Sequence, residues 1–377
     1  MSHREHVAIC YGGRSAEHDV SRVTASAVVN ALDKTRFTPI LLAIGTDGRW
    51  LRNVAAEHKL SHGAQAPESG LLIEGRRVVL PADPTLGGLL DLDTGEWTPI
   101  DVVIPMLHGP LGEDGTAQGL CELADLAYAG CSVVGSAVGS DKIMMKRAFR
   151  DAGVPTARWI ELRDDESADA DAILAQLGTP VFVKPSNMGS SVGVSRARDE
   201  SELIEALALA FRYDRWALVE EAIEGREIEI GVLGDGELLL STAGEIRPGS
   251  DFYTYEDKYE DQAAELLIPA PISDAELDEL RRLAAQAYRA CRCDGMARVD
   301  FFYDQNVRGW LVNEINTIPG FTPFSMFPRL FAASGLAYSA LIERLIDDAV
   351  RRHADRSSKA GQQRPDRSAA QELASNG

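Results

Sequence analysis

The chain has 377 residues, and 38 lysines and arginines against 58 aspartates and glutamates give a formal net charge of -20. Hydrophobic residues make up 45% and charged residues 25% of the sequence, a composition typical of globular proteins with buried cores. This acidic balance argues against nucleic acid or an anionic membrane as a partner, because both need a basic surface. No signal peptide or run of about 18 apolar residues occurs, so we expect a cytoplasmic protein without a membrane span.

The first third of the chain predicts a parallel sheet covered by helices. Residues 7–11, 37–44 and 101–107 are apolar runs typical of buried strands, and a helical repeat of apolar residues lies between the first two. Residues 53–98 are weakly periodic and rich in glycine and proline, which predicts an irregular or hairpin-bearing insertion. The alternation of strands and helices therefore predicts a doubly wound α/β domain.

Further along, Ser140 is the predicted cap of a helix that contains Lys142 and ends before Pro155. Residues 179–184 predict a strand that enters a loop rich in glycine and serine. From residue 354 onward Leu373 is the one large apolar side chain, which predicts a disordered tail.

Two late segments carry the sharpest chemical signal. Arg298 and Asp300 alternate on one apolar segment, and Glu314 and Asn316 alternate on another, so each pair lies on one face of a strand. In a hairpin that places Asp300 opposite Glu314, Arg298 also lies opposite Asn316, and residues 305–309 form the loop. Such oxygen ligands suit Mg²⁺ or Mn²⁺ held together with phosphate, but a structural salt-bridge cluster is an equally good interpretation of the pattern alone.

The loop at residues 185–193 is the second signal. Its glycines and serines would let backbone N–H groups close over phosphate, with Lys184 as a point charge at the strand end. A flexible surface hairpin is the usual alternative. Residues 189–193 also match G-x-S-x-G, which would make Ser191 a hydrolase nucleophile, but residues 194–198 alternate as a strand where a helix is needed. The one histidine after it, His353, lies in a charged terminal helix, which further disfavours a hydrolase.

Three other segments are candidates for substrate contacts. Glu17 follows Gly12-Gly13 at a strand end, the edge at which α/β proteins bind ligands. His108 follows the strand at 101–107 in the same way. The tyrosines and lysine of residues 252–259, with Lys258 and Tyr259, form either a packed edge strand or a lid over an anionic substrate.

Taken together, these segments resemble the D-alanine–D-alanine ligases of the ATP-grasp superfamily. The resemblance covers most of the chain and leaves out the insertion at 53–98 and the tail. Its motifs are GGRSAEHDVS, HGPLGEDGTAQG, SDKIMMK, VKPSNMGSSVGVS, FYTYEDKY, ARVDFF and NEINTIPGFTPFS.

The resemblance implies an α/β protein with the ATP-grasp fold, α+β in its two ATP-binding lobes, and an N-terminal pre-ATP-grasp domain. The expected division is 1–139 for the substrate-binding domain, 140–222 for the central lobe, 223–353 for the C-terminal lobe, and a tail at 354–377. It also implies a homodimer that acts on ATP and D-alanine in peptidoglycan synthesis.

For the nucleotide, the resemblance implies that Lys142 and Lys184 contact ATP phosphates while the 189–193 loop, with Ser191, closes over them. Glu220 and Glu227 would meet the adenine and ribose. The metal ligands for two Mg²⁺ or Mn²⁺ ions would be Asp300, Glu314 and Asn316.

For the amino acids, the resemblance implies that Glu17, with Ser190 and Tyr259, holds the ammonium of the first D-alanine. Arg298 and the backbone N–H of Gly320 would stabilise the oxyanion. The residues that would bind substrate are Lys258 and Ser325, for the second carboxylate, together with His108.

The sequence departs from the family pattern at two positions, and two other functions remain as alternatives. Glu221 stands where some members of the family have lysine near the adenine, and Asp19 stands where others have glutamate. Tyr259 favours an amine over a hydroxy acid as second substrate, so a D-alanine–D-lactate ligase is the alternative within the class. A non-catalytic nucleotide-binding regulator is the alternative outside it, and the presence of both Asp300 and Glu314 argues against it.

Overall fold

The computed structural model describes residues 4–247, 265–359, 361 and 365–366. Three β-sheets organise this part of the chain, with eight, four and five strands. The mixed α/β class predicted from the order of elements is confirmed. None of the helices in the described ranges is both long and apolar enough to cross a membrane.

The first sheet has the strand order β6-β5-β4-β3-β2-β1-β7-β8. Its parallel part joins β2, β1, β7 and β8, and the remaining strands add on in antiparallel fashion. The strands are β1 (Glu5–Gly12), β2 (Phe37–Ile44), β3 (Trp50–Arg52), β4 (Arg76–Val79), β5 (Gly88–Asp91), β6 (Trp97–Pro99), β7 (Val102–Pro105) and β8 (Ala127–Tyr128). The insertion at 53–98 therefore supplies strands that widen the sheet, together with the helix α2 (Val54–Ser61).

Helices cover both faces of this sheet because residues of β1 point alternately to either side. Val7 and Ile9 join a core with α1 (His18–Ala31), whereas Ala8 and Cys10 join a core with α3 (Thr116–Leu123). The first core also includes the C-terminal helix α10 (Tyr338–Ser357). That helix continues past the predicted start of the tail at residue 354, because its inner face stays packed against the first sheet.

The second sheet is antiparallel, in the order β11-β10-β12-β9. Its strands are β9 (Trp159–Arg163), β10 (Val181–Pro185), β11 (Ser195–Ala197) and β12 (Trp216–Glu221), and its core is closed by α6 (Ala170–Leu177) and α7 (Glu200–Ala210). Before it come α4 (Val133–Ser140) and α5 (Lys142–Asp151). The predicted cap Ser140 is wrong: it is the last residue of α4, and Asp141 caps α5 by accepting the N–H of Met144.

The third sheet is antiparallel as well, in the order β15-β14-β13-β16-β17. Its strands are β13 (Arg226–Leu233), β14 (Leu239–Arg247), β15 (Glu265–Leu267), β16 (Met296–Asp304) and β17 (Gly309–Asn316). One face packs against α8 (Asp274–Ala290). The other face packs against α9 (Met326–Ala333), whose Met326 and Phe331 lie against Gly244 and Gly231. The second and third sheets carry the walls of the site described next.

Candidate active site

The hairpin of β16 and β17 forms one wall of the site. Asp300 lies opposite Glu314 and Arg298 lies opposite Asn316, so the register predicted from alternation is confirmed. A bulge after Asp300 shifts the pairing by one residue, and Phe301 faces Val312. The connecting loop is therefore residues 305–308, one shorter than predicted, because the extra residue is taken up inside the strand.

Arg298 holds the carboxylates of this wall together. Its Nε and Nη2 donate to the two oxygens of Asp300 at 2.7 Å each, and Nε also lies 3.0 Å from Glu229 Oε2. Asn316 Nδ2 donates to Asp300 Oδ2 at 2.9 Å. Burial by itself would lower the pKa of Arg298, but Asp300, Glu229 and Glu314 outweigh burial and raise it, so the guanidinium stays charged.

This donor set suits a divalent cation that is shared with phosphate. Among the described residues, no group of three or more His, Cys, Asp or Glu side chains is arranged to hold a metal by itself. Asp300, Glu314 and Asn316 offer two carboxylates and one amide, and they leave the remaining positions to other oxygens. Mg²⁺ prefers such partial sites, in which one or two carboxylates and substrate phosphates supply its ligands.

A second wall is basic and comes from the second sheet and α5. Lys184, on β10, donates from Nζ to Glu220 Oε2 at 2.7 Å, and Lys146, on α5, donates to Glu220 Oε1. Burial alone would lower the pKa of Lys184, but attraction by Glu220, Glu314 and Glu227 raises it above its usual value. The carboxylates of Glu314 and Glu227 therefore lie within electrostatic reach of Lys184.

The glycine-rich loop joins these walls to the first sheet. Lys142, the first residue of α5, donates from Nζ to the carbonyl oxygen of Met188 at 2.6 Å. Ser190 and Ser191 have φ values of 47° and 60°, a conformation uncommon outside glycine. The strand β11 follows this loop, so the helix that a serine nucleophile needs after Ser191 is absent there. The hydrolase alternative is excluded on this ground.

Glu17 meets the tip of the same loop. Ser190 Oγ donates to Glu17 Oε1 at 2.5 Å, although the two residues are 173 positions apart. A side chain at Gly189 would approach the carboxylates of both Glu17 and Glu113. Burial, followed by repulsion from Glu17, raises the pKa of Glu113 to about 8. The loop therefore lies over a pocket that contains two carboxyl groups.

His108 is buried beside this pocket. Its Nε2 lies 3.3 Å from Thr24 Oγ1, and its Nδ1 lies 3.2 Å from the carbonyl oxygen of Ile318. Burial lowers the pKa of His108 and outweighs the opposing attraction of Glu17, which favours the neutral imidazole. The contact with Ile318 brings His108 close to the segment that follows β17.

That segment carries Gly320 and Ser325. Ser325 Oγ accepts the N–H of Thr322 at 3.1 Å, and the Cβ that a residue at 320 would carry lies 3.2 Å from the same oxygen. Ser325 precedes α9 as its N-cap. The predicted lid residues Lys258 and Tyr259 lie outside the described residues.

Three charged residues of the site were not predicted from the sequence: Lys146, Glu113 and Glu229. Lys146 lies four residues after Lys142, a spacing that places both side chains on one face of a helix. That spacing was the available signal for Lys146. Glu221, which stands where some members of the family have lysine near the adenine, accepts hydrogen bonds from Arg158 and Arg308.

Known proteins of one family are similar to this chain. Residues 6–131 match the family model for the D-ala D-ala ligase N-terminus, and residues 148–347 match that for its C-terminus. The chain is 43% identical to a D-alanine–D-alanine ligase of Thermoanaerobacter sp. over 93% of this chain and 98% of that protein. For the ligase of Bacillus velezensis the identity is 45%, over 92% and 98%.

Solved structures have a similar fold. A D-alanine–D-alanine ligase from Coxiella burnetii is 34% identical, with a TM-score of 0.80 over 94% of this chain and 97% of that chain. A D-Ala:D-Ser ligase from Enterococcus faecalis is 32% identical, with a TM-score of 0.81 over 92% and 100%. This chain belongs to the D-alanine–D-alanine ligase family and has its ATP-grasp fold.

Proposed function

We propose that this protein condenses two D-alanine molecules to D-alanyl-D-alanine while ATP becomes ADP and phosphate, and that the dipeptide serves peptidoglycan synthesis. Membership of the ligase family supports an ATP-dependent enzyme that forms a carbon–nitrogen bond. The observation that carries the proposal is the pairing of Asp300 with Glu314 across one hairpin, together with Lys184, which lies within electrostatic reach of Glu314. A triphosphate and its divalent cation need this combination of charges.

The first half of the reaction makes the carboxylate of one D-alanine reactive. A carboxylate oxygen attacks the γ-phosphorus of ATP, the bond to the β-phosphate oxygen breaks, and an acyl phosphate and ADP result. Phosphoryl transfer of this kind is accelerated mainly by positioning and by cations around the phosphate. Lys142 and Lys184 supply two such charges, and Glu17 with Ser190 holds the ammonium of the amino acid.

Asp300, Glu314 and Asn316 are the proposed ligands of two Mg²⁺ or Mn²⁺ ions. When bound, such ions neutralise the negative charge of the phosphate oxygens. Arg298 and Asn316 donate hydrogen bonds to Asp300 and fix the orientation of its carboxylate.

In the second half, the amine of another D-alanine attacks the acyl carbon, and phosphate leaves. The tetrahedral oxyanion needs donors that are already in place. Arg298, held by Asp300 and Glu229, and the backbone N–H of Gly320 are the proposed donors. Ser325 is the proposed anchor for the second carboxylate, together with Lys258. Glu220 and Glu227 are the proposed contacts of the adenine and ribose.

The decisive experiment is phosphate release from ATP with D-alanine, L-alanine or D-lactate as the acceptor, with the product identified by mass spectrometry. We expect rapid release and D-alanyl-D-alanine with D-alanine alone. A mixture of D-alanine and D-lactate is tested as well. If the mixture releases phosphate faster than D-alanine does and the product is an ester, the proposed second substrate is contradicted. No release with any of them would contradict the function.

The proposed assembly is a homodimer, on the strength of the family resemblance. Light scattering should then give twice the chain mass of 40.9 kDa. A mass of one chain at micromolar concentration would contradict this assembly.

A further inference from the structure

A carboxylate buried between two lysines lies behind the basic wall. The side chains of Glu220 and Lys146 are 3% and 1% exposed, and that of Lys184 is 15% exposed. Each oxygen of Glu220 accepts from a different ammonium group: Oε1 from Lys146 and Oε2 from Lys184. Because an unpaired buried charge is strongly unfavourable, a charged Lys146 at this depth needs Glu220 as its partner.

Two elements bring the group together. On the second sheet, Lys184 pairs with Leu218 and Phe182 pairs with Glu220, so Lys184 and Glu220 are diagonal neighbours on one face. On α5, Lys142 and Lys146 are one turn apart. Lys142 reaches the glycine-rich loop, whereas Lys146 reaches inward to Glu220 and donates to Thr156 Oγ1 at 2.8 Å.

The charges of this group decide what the basic wall offers to phosphate. With both lysines protonated, one carboxylate and two ammonium groups carry a net charge of +1, and Lys184 is the most exposed member. Burial lowers the pKa of Lys146, against the attraction of Glu220. Without Lys146, Glu220 and Lys184 would form a neutral pair. The attraction of Lys146 and Lys184 overcomes the effect of burial and lowers the pKa of Glu220 to about 2, so Glu220 stays negative at neutral pH.

We propose that Lys146 is a positioning residue for the nucleotide: it neutralises and holds Glu220, so that the charge of Lys184 remains available to the ATP phosphates. The inference rests on the proposed function, in which Lys184 contacts ATP. Lys146 itself is buried behind Glu220 and acts through it.

The test is a double-mutant cycle on nucleotide affinity, measured by calorimetric titration with a non-hydrolysable ATP analogue and Mg²⁺. Lys146→Met should weaken binding at least about tenfold, since it leaves Glu220 to neutralise the charge of Lys184. In a Glu220→Gln background the same change should cost less than about twofold, because the charge that Lys146 balances is gone. A purely structural role predicts equal losses in both backgrounds.

Kinetics and a neighbouring control sharpen the result. Lys146→Met should raise the KM for ATP and leave the KM for D-alanine within about twofold of the wild type. Arg147→Met removes the next cation of α5, which pairs with Glu161, and should leave nucleotide affinity unchanged. Lys146→Arg keeps the charge and should retain affinity within about threefold.

The outcomes separate this inference from the proposed function. Wild-type protein that fails to bind the analogue contradicts the function itself. Wild-type affinity in folded Lys146→Met, or an equal loss in both backgrounds, overturns the role of Lys146. If Lys146→Met does not fold, the nucleotide affinity of Glu220→Gln is compared with that of the double variant. A loss of affinity of more than about tenfold overturns the role of Lys146, and a loss below about twofold supports it.

Discussion

The two walls of the cleft differ in charge and in how the chain builds them. The hairpin wall places Arg298, Asp300, Glu314 and Asn316 on adjacent strands within 19 consecutive residues. The basic wall needs α5, β10 and β12, on which Lys146 and Lys184 lie 74 and 36 positions from Glu220. The hairpin wall therefore depends on one strand register, whereas the basic wall depends on the packing of a helix against a sheet.

The largest expected effect on activity comes from a substitution in the hairpin wall. Glu314→Gln keeps the size of the side chain but removes one of two facing carboxylates. We expect dipeptide synthesis to fall by about 100-fold or more, because charge that stabilises the transition state is lost, while the melting temperature changes little. The exposed Glu205→Gln on α7 is the matched control and should be fully active. Wild-type turnover in Glu314→Gln would remove Glu314 from the metal site.

The next largest effect comes from a substitution on α5, beside the basic wall. Lys142→Met removes the proposed phosphate contact and the donor that holds Met188 in the glycine-rich loop. We expect the KM for ATP to rise about 30-fold, with a smaller change in the KM for D-alanine. The exposed Lys59→Met on α2 controls for the loss of a lysine. Equal increases in both KM values would show that the loop, and not the phosphate contact, is what Lys142 provides.

A smaller effect concerns the contact that connects the loop to the first sheet. Ser190→Ala removes the hydrogen bond to Glu17, and hydrogen bonds to charged groups contribute about 1.5–3 kcal/mol. We expect the KM for D-alanine to rise about tenfold at saturating ATP, as measured by initial rates. Ser201→Ala on α7 is the control. An unchanged KM would mean that Glu17 is positioned without Ser190.

The smallest effect is a change in the pH dependence of stability. Burial raises the pKa of Glu113 to about 8 in the folded protein, from the value of 4.5 that is usual for an exposed glutamate. Its protonated form therefore contributes stability that is complete below pH 4.5 and is lost as the pH rises towards 8. Glu113→Gln removes this dependence, so its melting temperature should fall less steeply between pH 5 and 8 than that of the wild type. Parallel curves would contradict the raised pKa.

The contrast between the walls also explains what sequence reasoning could reach. Alternation of polar and apolar residues was enough to predict that Asp300 pairs with Glu314 in a hairpin, because a strand has a period of two. The bulge after Asp300 has no such signature, and it shortened the loop. Ser140 and Asp141 are both good helix caps, so the sequence alone did not show that α4 ends between them.

The basic wall was only partly predictable for a different reason. Motif resemblance identified Lys184 and Glu220 separately, but not that Lys146 pairs with Glu220 across 74 residues. Glu113 was missed because its burial depends on Glu17 and on the loop at Gly189. The division of the chain at residues 139 and 222 stays a prediction.

The most direct measurement is the effect of Mg²⁺ on nucleotide binding by the hairpin variant. The affinity for a non-hydrolysable ATP analogue is titrated with Mg²⁺ and with a chelator, in the wild type and in Glu314→Gln. A shared cation predicts that Mg²⁺ tightens binding to the wild type at least about tenfold and has little effect on the variant. Equal tightening in both proteins would contradict a cation shared between Glu314 and the triphosphate.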